Sequence, residues 1–576
     1  MRPFHDFFLT NFLPPDLLSP GLLSSEIRWL SFRQLLSVIL IMAFASPTLA
    51  QLNSPYPPPK HLGDPAKLGL GIQRTMTLLA TSSVEHRNTV HILFYGQSIT
   101  EQAWWRAVYL DLKRRFPKAN LIVDNLALGG FASQMLVKTA ETDLYPSYPD
   151  LVIFHVYGAH DSYENIIRRI RERTTAEVLI QTDHVTNDAD LNEETDPAKL
   201  RPDGKIWNSF MNYLHLPTLA QKYGCGIVDQ RNLWKQYLRD YKVPAAQLLK
   251  DGVHQNDYGN YLMAALVNAY LVPRSDTHIK PMNCDTVRTL IIGKDIQWKD
   301  GKITLPFEGN RVDLLAGDGA PLPAPPARHT EPGKTTTRPD TQPGKNTKPS
   351  PSLTPGQGAN AGVTSIPGNV PGNDQTTAGI PSATTLGQAK PGDAPPVAIL
   401  IDGKKPSEIP EVYSFTRALS TPGGKWPVIL KMGWEKPLQA EDWTMEATKD
   451  PANPKQFTFT VIGSKTGMDG AGRSDQRFVS KSGRIVIEPE DWNVEYSLSL
   501  PGIKPVPDKL IVRWQSVPHA IDSFNLMGPA DKAYETSVTI AQGLTNGKHT
   551  LELTGNQASH LAAIRIYRPP FASTEK

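Results

Sequence analysis

Cysteine is nearly missing from this chain: Cys225 and Cys284 are the only two in 576 residues. Two thiols cannot frame a disulfide scaffold, so the fold must rest on buried apolar surface. One bridge and two separate thiols are equally open to the pair. An excess of one charge is missing too, since Lys plus Arg number 60 against 57 for Asp plus Glu, a formal net charge of +3. Such a balance creates no global field for gathering polyanions, and no nucleic-acid partner is expected. Apolar runs of membrane length are also lacking. LLSVILIMAFA, residues 35–45, is short beside the roughly twenty residues a spanning helix needs. No integral membrane span is expected in the mature chain. The run follows Arg28 and Arg33 and leads through SPTLA to Ala50, the order of a secretory signal cleaved before Gln51. The chain is therefore expected to be secreted, or held in the cell envelope or periplasm. Metal-ligand spacing is the last absence. His155, His160, Asp183 and His184 stand near strand ends, but no ligand spacing recurs, and alternation along a strand sends His155 and His160 to opposite faces. No metal or other cofactor is expected.

What is present is a chain too long for one hydrophobic core. Behind the signal region, residues 1–50, comes a Pro-rich lead, 51–74. Residues 75–280 then alternate strand-like and helix-like runs. HILFYG, NLIVDNLA, DLVIFHVYG, AEVLIQT and CGIVDQ are short, continuous and apolar, as strands buried on both faces should be. Amphipathic stretches such as EQAWWRAVYLDLKRRF and YENIIRRIRER lie between them. Five alternations predict an α/β domain with a parallel sheet between helical layers, its site at the C-terminal ends of the strands.

The texture changes afterwards. Residues 285–318 contain two strand-like runs around the turn signal KDGK, which predicts a β-hairpin and possible start of a β domain. Residues 319–396 are dense in Pro, Gly, Thr and Ser, too poor in apolar side chains to offset the entropy of ordering, and read as a disordered linker or insertion. Residues 397–576 return to β texture in VAILIDG, FTFTVIG, GRIVIEP, KLIVRWQS, TSVTIAQG, KHTLELTG and AAIRIYRPP, with Asn546-Gly547 as one turn signal. An all-β, sandwich-like accessory domain is expected.

Chemistry concentrates where strands end. The first run stops at Gly96, and Ser98 follows in the turn. A hydroxyl exposed there suits a nucleophile. The blander reading is helix capping, since Ser98 and Glu101 have the spacing of a capping box. In DGVH, Asp251 and His254 are three residues apart in a loop, close enough for the carboxylate to hold one imidazole nitrogen while the other faces a serine. Gly130, five residues past Asn125, offers a bare backbone N–H to a bound anion. Trp104 and Trp105 read as core, with sugar stacking as the lesser alternative.

Four short blocks, GQSIT at 96–100, NLALGG at 125–130, GAHD at 158–161 and DGVH at 251–254, resemble in order those of the SGNH, or GDSL-like, hydrolases. The resemblance spans roughly residues 75–272. It implies a flavodoxin-like three-layer α/β/α fold and hydrolysis of esters, often acetyl groups on carbohydrates. It further implies Ser98 as nucleophile, His254 as general base, Asp251 as the residue orienting it, and Ser98 N–H and Gly130 N–H as oxyanion donors. Two positions depart from the pattern: Gln97 stands where the family has Asp, and His160 stands where it has the third oxyanion donor, an Asn. An imidazole can still donate one N–H, and neutral His160 is the expectation, because a positive charge there would oppose the imidazolium forming at His254.

The expected activity is removal of O-acetyl groups from an acylated carbohydrate, or another small ester, by a serine esterase. Two alternatives use the same residues: a carbohydrate-binding protein without turnover, and an acyltransferase in which a sugar hydroxyl replaces water.

Overall fold

A parallel sheet, order β2-β1-β3-β4-β5, is built by Thr89–Gly96 (β1), Asn120–Asn125 (β2), Leu151–His155 (β3), Glu177–Gln181 (β4) and Gly226–Val228 (β5). These are the five apolar runs of the sequence. The computed structural model describes residues 54–202, 207–316, 396–524, 534–535, 537–555 and 561–573. The chain falls into two units, residues 1–58 and 59–576. Of the first, only 54–58 are described, without helix or strand; everything below concerns the second. The signal region and all of the 319–396 segment except Pro396 lie outside the described residues.

The order 2-1-3-4-5 is that of doubly wound flavodoxin-like sheets, in which successive connections leave β1 in opposite directions and open a crevice at the C-terminal ends of β1 and β3. Every residue of β3 is buried, which explains its unbroken apolar run. Helices Gln73–Thr81 (α1), Trp104–Arg115 (α2), Ser133–Asp143 (α3), His160–Arg173 (α4), Leu216–Tyr223 (α5), Gln230–Tyr241 (α6) and Asp257–Tyr270 (α7) flank the sheet. A turn of π-helix, Met211–His215, leads into α5. α3 and α6 were not legible as separate elements, because their apolar stripes are broken by polar residues that are nonetheless buried, such as Thr139 and Arg231. Cys225 and Cys284 are both free thiols. Burial pushes the Cys225 thiol up to about 12.

Beyond residue 285 the structure is antiparallel. Val287–Ile291 (β6), Lys302–Ala316 (β7), Val397–Ile401 (β8), Tyr413–Phe415 (β9), Leu419–Thr421 (β10), Glu441–Asp450 (β11), Asn453–Gly463 (β12), Gly467–Arg473 (β13), Phe478–Val479 (β14), Val486–Ile487 (β15), Lys509–Pro518 (β16), Ser523–Phe524 (β17), Ser537–Thr554 (β18) and Leu561–Tyr567 (β19) follow in chain order. One sheet runs β17-β8-β18-β7-β19-β6 and the other β10-β16-β11-β12-β13, with β9 also on β16. A single core joins them: Ile303, Leu551 and Ile564 from the first meet Trp443, Met445 and Val512 from the second. Trp443 sits opposite Trp514 across β11 and β16, their rings stacked at 6.4 Å. A short helix, Val494–Ser499 (α8), lies on the side facing the parallel sheet.

The hairpin expected at 285–318 is not formed. KDGK does turn, with Lys299 bridged to Lys302, but β19 lies between β6 and β7. The partner that completes both strands comes from the far end of the chain, where no local signal can register it. Asn546-Gly547 likewise does not separate two strands. It falls within β18, at an irregularity where the register against β7 shifts between Gln542 and Gly547, and a bulge absorbs the turn-forming residues. β11 was hidden by its charged outward positions, which alternate with buried Trp443, Met445 and Ala447.

Candidate active site

β1 ends where glycine is indispensable. At Gly96 a Cβ would lie 2.1 Å from the His155 carbonyl and 2.4 Å from Thr100 Oγ1, at φ +157°. Only a residue without a side chain lets the chain leave β1 this close to β3. Gln97 is extended and its carbonyl accepts from Thr100 N–H and Glu101 N–H, closing the single helical turn Ser98–Glu101. Ser98 is thus the first residue of that turn and not its cap. The capping box does not form, because the Glu101 carboxylate accepts from Gly129 N–H at 2.8 Å and pairs with Lys425.

The Ser98 hydroxyl instead meets His254 Nε2 at 2.8 Å. His254 Nδ1 lies 2.8 and 3.0 Å from the two Asp251 oxygens. A carboxylate only accepts, so Nδ1 carries the proton and Nε2 is left to accept from Ser98. Asp251 also receives the backbone N–H of His254 at 2.8 Å and of Val253 at 3.2 Å. The His254 backbone N–H, foremost, with its imidazole and the Val253 N–H, brings Asp251 down to about 2. Asp251 is exposed and His254 partly so; the three side chains form an open rim. Two cavities, of about 370 and 410 Å³, lie elsewhere, along β6 and β7.

The loop bearing Asp251 and His254 is held from both sides. Asn256 caps α7 through Tyr258 N–H and Gly259 N–H, and Lys250 N–H donates to the His254 carbonyl. From beneath, buried His184 donates from Nε2 to the Val253 carbonyl at 2.7 Å. Arg231 in turn binds the His184 carbonyl at 2.9 Å and pairs with Glu193. Burial lowers the His184 imidazole to about 4.

After β2, Asn125 ties the next loop to the serine turn: its amide donates to the Thr100 carbonyl at 2.7 Å and accepts from Ala127 N–H at 3.0 Å. Gly130 follows at φ +85°, and a Cβ there would come within 2.7 Å of Leu500. Neither Ser98 N–H nor Gly130 N–H has an acceptor among the described residues, which leaves both able to receive an anion.

His160 opens α4. Its ring lies nearly parallel to Trp207 at 5.6 Å and close to His215 (4.8 Å) and Phe210 (5.0 Å), with Nε2 buried and unpartnered among the described residues. Burial lowers its pKa, against the pull of Asp161, so the ring is neutral near pH 7. None of its ring contacts involves Ser98 or His254. The structure therefore brings Ser98, Asp251 and His254 into one hydrogen-bonded chain with Gly130 on the adjoining loop, and sets His160 in an aromatic cluster. Gln97 shares the serine turn only through its backbone.

His155 and Asp183 form a buried pair at 2.9 Å, with Asn212 donating to the other carboxylate oxygen. Among the described residues no group of three or more His, Cys, Asp or Glu could hold a metal ion. Trp104 is buried and donates to the Ile99 carbonyl at 2.7 Å, supporting the serine turn from below, while Trp105 packs on Phe94 at 6.0 Å.

Sequence reasoning missed His184 as a support of the 251–254 loop. It also missed Arg417, Trp426 and Tyr496, which reach the Asn125–Gly130 loop from the β region, and Lys425, which pairs with Glu101 of the serine turn. No local signal marks such contacts.

No protein-family model and no curated protein matches the sequence. Among solved structures the chain is similar to a two-domain esterase active on acetylated mannans, at 13% identity over 88% of this chain and 97% of that one, TM-score 0.29. It is similar to an alpha/beta hydrolase from the metagenome of Lake Arreo, Spain, at 18% identity over 34% and 100%, TM-score 0.27. A third similarity is to a catalytic mutant of an acetylxylan esterase from Geobacillus stearothermophilus, at 15% identity over 32% and 97%, TM-score 0.27.

Proposed function

We propose that this chain is an exported serine esterase that removes acyl groups, acetyl foremost, from carbohydrates. The observation that carries the reading is the chain of hydrogen bonds from Ser98 through His254 to Asp251. Ser98 Oγ attacks the ester carbonyl while His254 Nε2 takes its proton, and Asp251 keeps the imidazole in the required tautomer and steadies its positive charge. Ser98 N–H and Gly130 N–H receive the oxyanion. The His254 imidazolium then gives its proton to the departing sugar oxygen, which leaves as a hydroxyl, and water, activated by the same imidazole, releases the acid from the acyl-enzyme. No step calls for a metal or cofactor.

The open rim supports a bulky, hydrated substrate over a long acyl chain, which would need an apolar tunnel around Ser98. Among the described residues no helix is long and apolar enough to cross a membrane. His160, neutral and with Nε2 unpartnered among the described residues, is proposed as the third oxyanion donor.

The test is acetate release from a small aryl acetate and from acetylated polysaccharides by wild type beside Ser98→Ala. Loss of the nucleophile should lower the rate by about a millionfold. Equal rates would sink the assignment.

A further inference from the structure

The β region reaches the Asn125–Gly130 loop at its carbonyls. Arg417 donates to Leu126 O at 2.9 Å while holding Asp143 through Nε and Nη2. Trp426 Nε1 donates to Gly129 O at 2.9 Å. Tyr496 Oη donates to Gly130 O at 2.6 Å. Lys425 pairs with Glu101, whose carboxylate accepts Gly129 N–H. Leu430 of the β region is buried in the core of the parallel-sheet domain, with Trp426 and Leu500 packed beside it.

One of these bonds bears directly on the chemistry. Gly129 C=O and Gly130 N–H belong to the same peptide plane. Among the described residues cis peptides occur only before Pro422 and Pro505, so this plane is trans and its carbonyl and N–H point in opposite directions. Whatever grips Gly129 O therefore aims Gly130 N–H. Two adjacent glycines offer little resistance of their own to a flip of that plane, and a flip would turn a carbonyl dipole toward the developing negative charge.

We propose that Trp426 is a positioning residue of the oxyanion hole: from the β region it fixes the peptide plane that directs Gly130 N–H at the substrate oxygen, with Tyr496 holding the next plane. The β region is then part of the catalytic apparatus and not only an accessory. This rests on the esterase reading above.

The test uses the full chain as wild type, Ser98→Ala, Trp426→Phe and Tyr496→Phe. Phenylalanine keeps an aromatic ring at each site and removes the donor. Removing an oxyanion donor outright costs about a hundred- to a thousandfold. Loosening one should lower kcat of Trp426→Phe by about tenfold, with KM within about twofold. Affinity for an alkyl boronic acid, which forms a tetrahedral anion on the serine, should fall by the same factor as kcat/KM. A purely structural role would lower the melting temperature and leave that parallel fall absent. Wild-type kcat and boronate affinity in a folded Trp426→Phe overturn the inference alone. A wild type no faster than Ser98→Ala overturns the esterase reading, and the inference with it. Should Trp426→Phe fail to fold, Tyr496→Phe carries the test, and unchanged kcat and boronate affinity there overturn it.

Discussion

The most quantitative consequence of the structure concerns acid and His184. This imidazole is fully buried, donates from Nε2 to the Val253 carbonyl, and has no partner at Nδ1 among the described residues. Protonation would place a charged N–H against nothing, and burial accordingly lowers the group to about 4. In the unfolded chain an imidazole titrates near 6.5. The folded state thus binds fewer protons between these values, so the stability it gains is fully present above pH 6.5 and lost as pH falls toward 4. Linkage puts the loss from this one group at about 2 kcal/mol at pH 5 and about 3 kcal/mol at pH 4. The perturbation is His184→Gln, whose amide can still donate to Val253 O but never titrates. Urea unfolding followed by tryptophan fluorescence at pH 7.5 and pH 5 measures the effect. Wild type should lose about 2 kcal/mol more than the variant across that interval. His519 and His215, both partly buried and each lowered to about 4, titrate in both proteins and cancel in the difference. Equal losses in the two proteins would refute the reasoning.

Other outcomes follow from the same contacts. Asp251→Ala should lower kcat by about ten-thousandfold with only a small fall in melting temperature, because the bonds Asp251 accepts from His254 and Val253 are exposed to solvent; steady-state kinetics and calorimetry check both. Since Asp251 lies near 2, the pH–rate profile should show no inflection near pH 4 that vanishes in Asp251→Asn, and one that did would overturn the assigned ionisation. Gly96→Ala should destabilise by roughly 3 kcal/mol or more, because the His155 carbonyl 2.1 Å from the new Cβ is backbone and cannot yield; denaturant midpoints report it. Arg417→Ala strands the buried Asp143 carboxylate and should cost about 3–5 kcal/mol, measured by the same unfolding curves.

How much was legible in the sequence varied with range. The five strands of the parallel sheet were, because strands covered on both faces need unbroken apolar runs, and β3 is buried at every residue. Ser98, Asp251, His254 and Gly130 stood out because polar residues and glycines at strand ends and in short loops interrupt the apolar runs, and the reach from Asp251 to His254 is local. His160 was found by its place in a block, but its setting against Trp207, Phe210 and His215 depends on a helical stretch some 50 residues further along the chain.

By itself, then, the sequence determined the elements whose driving force is local: apolar periodicity, the turn at Gly96, and the three-residue reach from Asp251 to His254. Only the tertiary structure decided that β19 parts β6 from β7, that Glu101 serves Gly129 instead of capping Ser98's turn, that His184 carries the 251–254 loop, and that Trp426 holds the Gly129–Gly130 peptide. Each of those pairs buried or half-buried polar groups that must be satisfied by something, and which distant residue does so depends on how whole sheets pack, a choice that no run of neighbouring residues encodes.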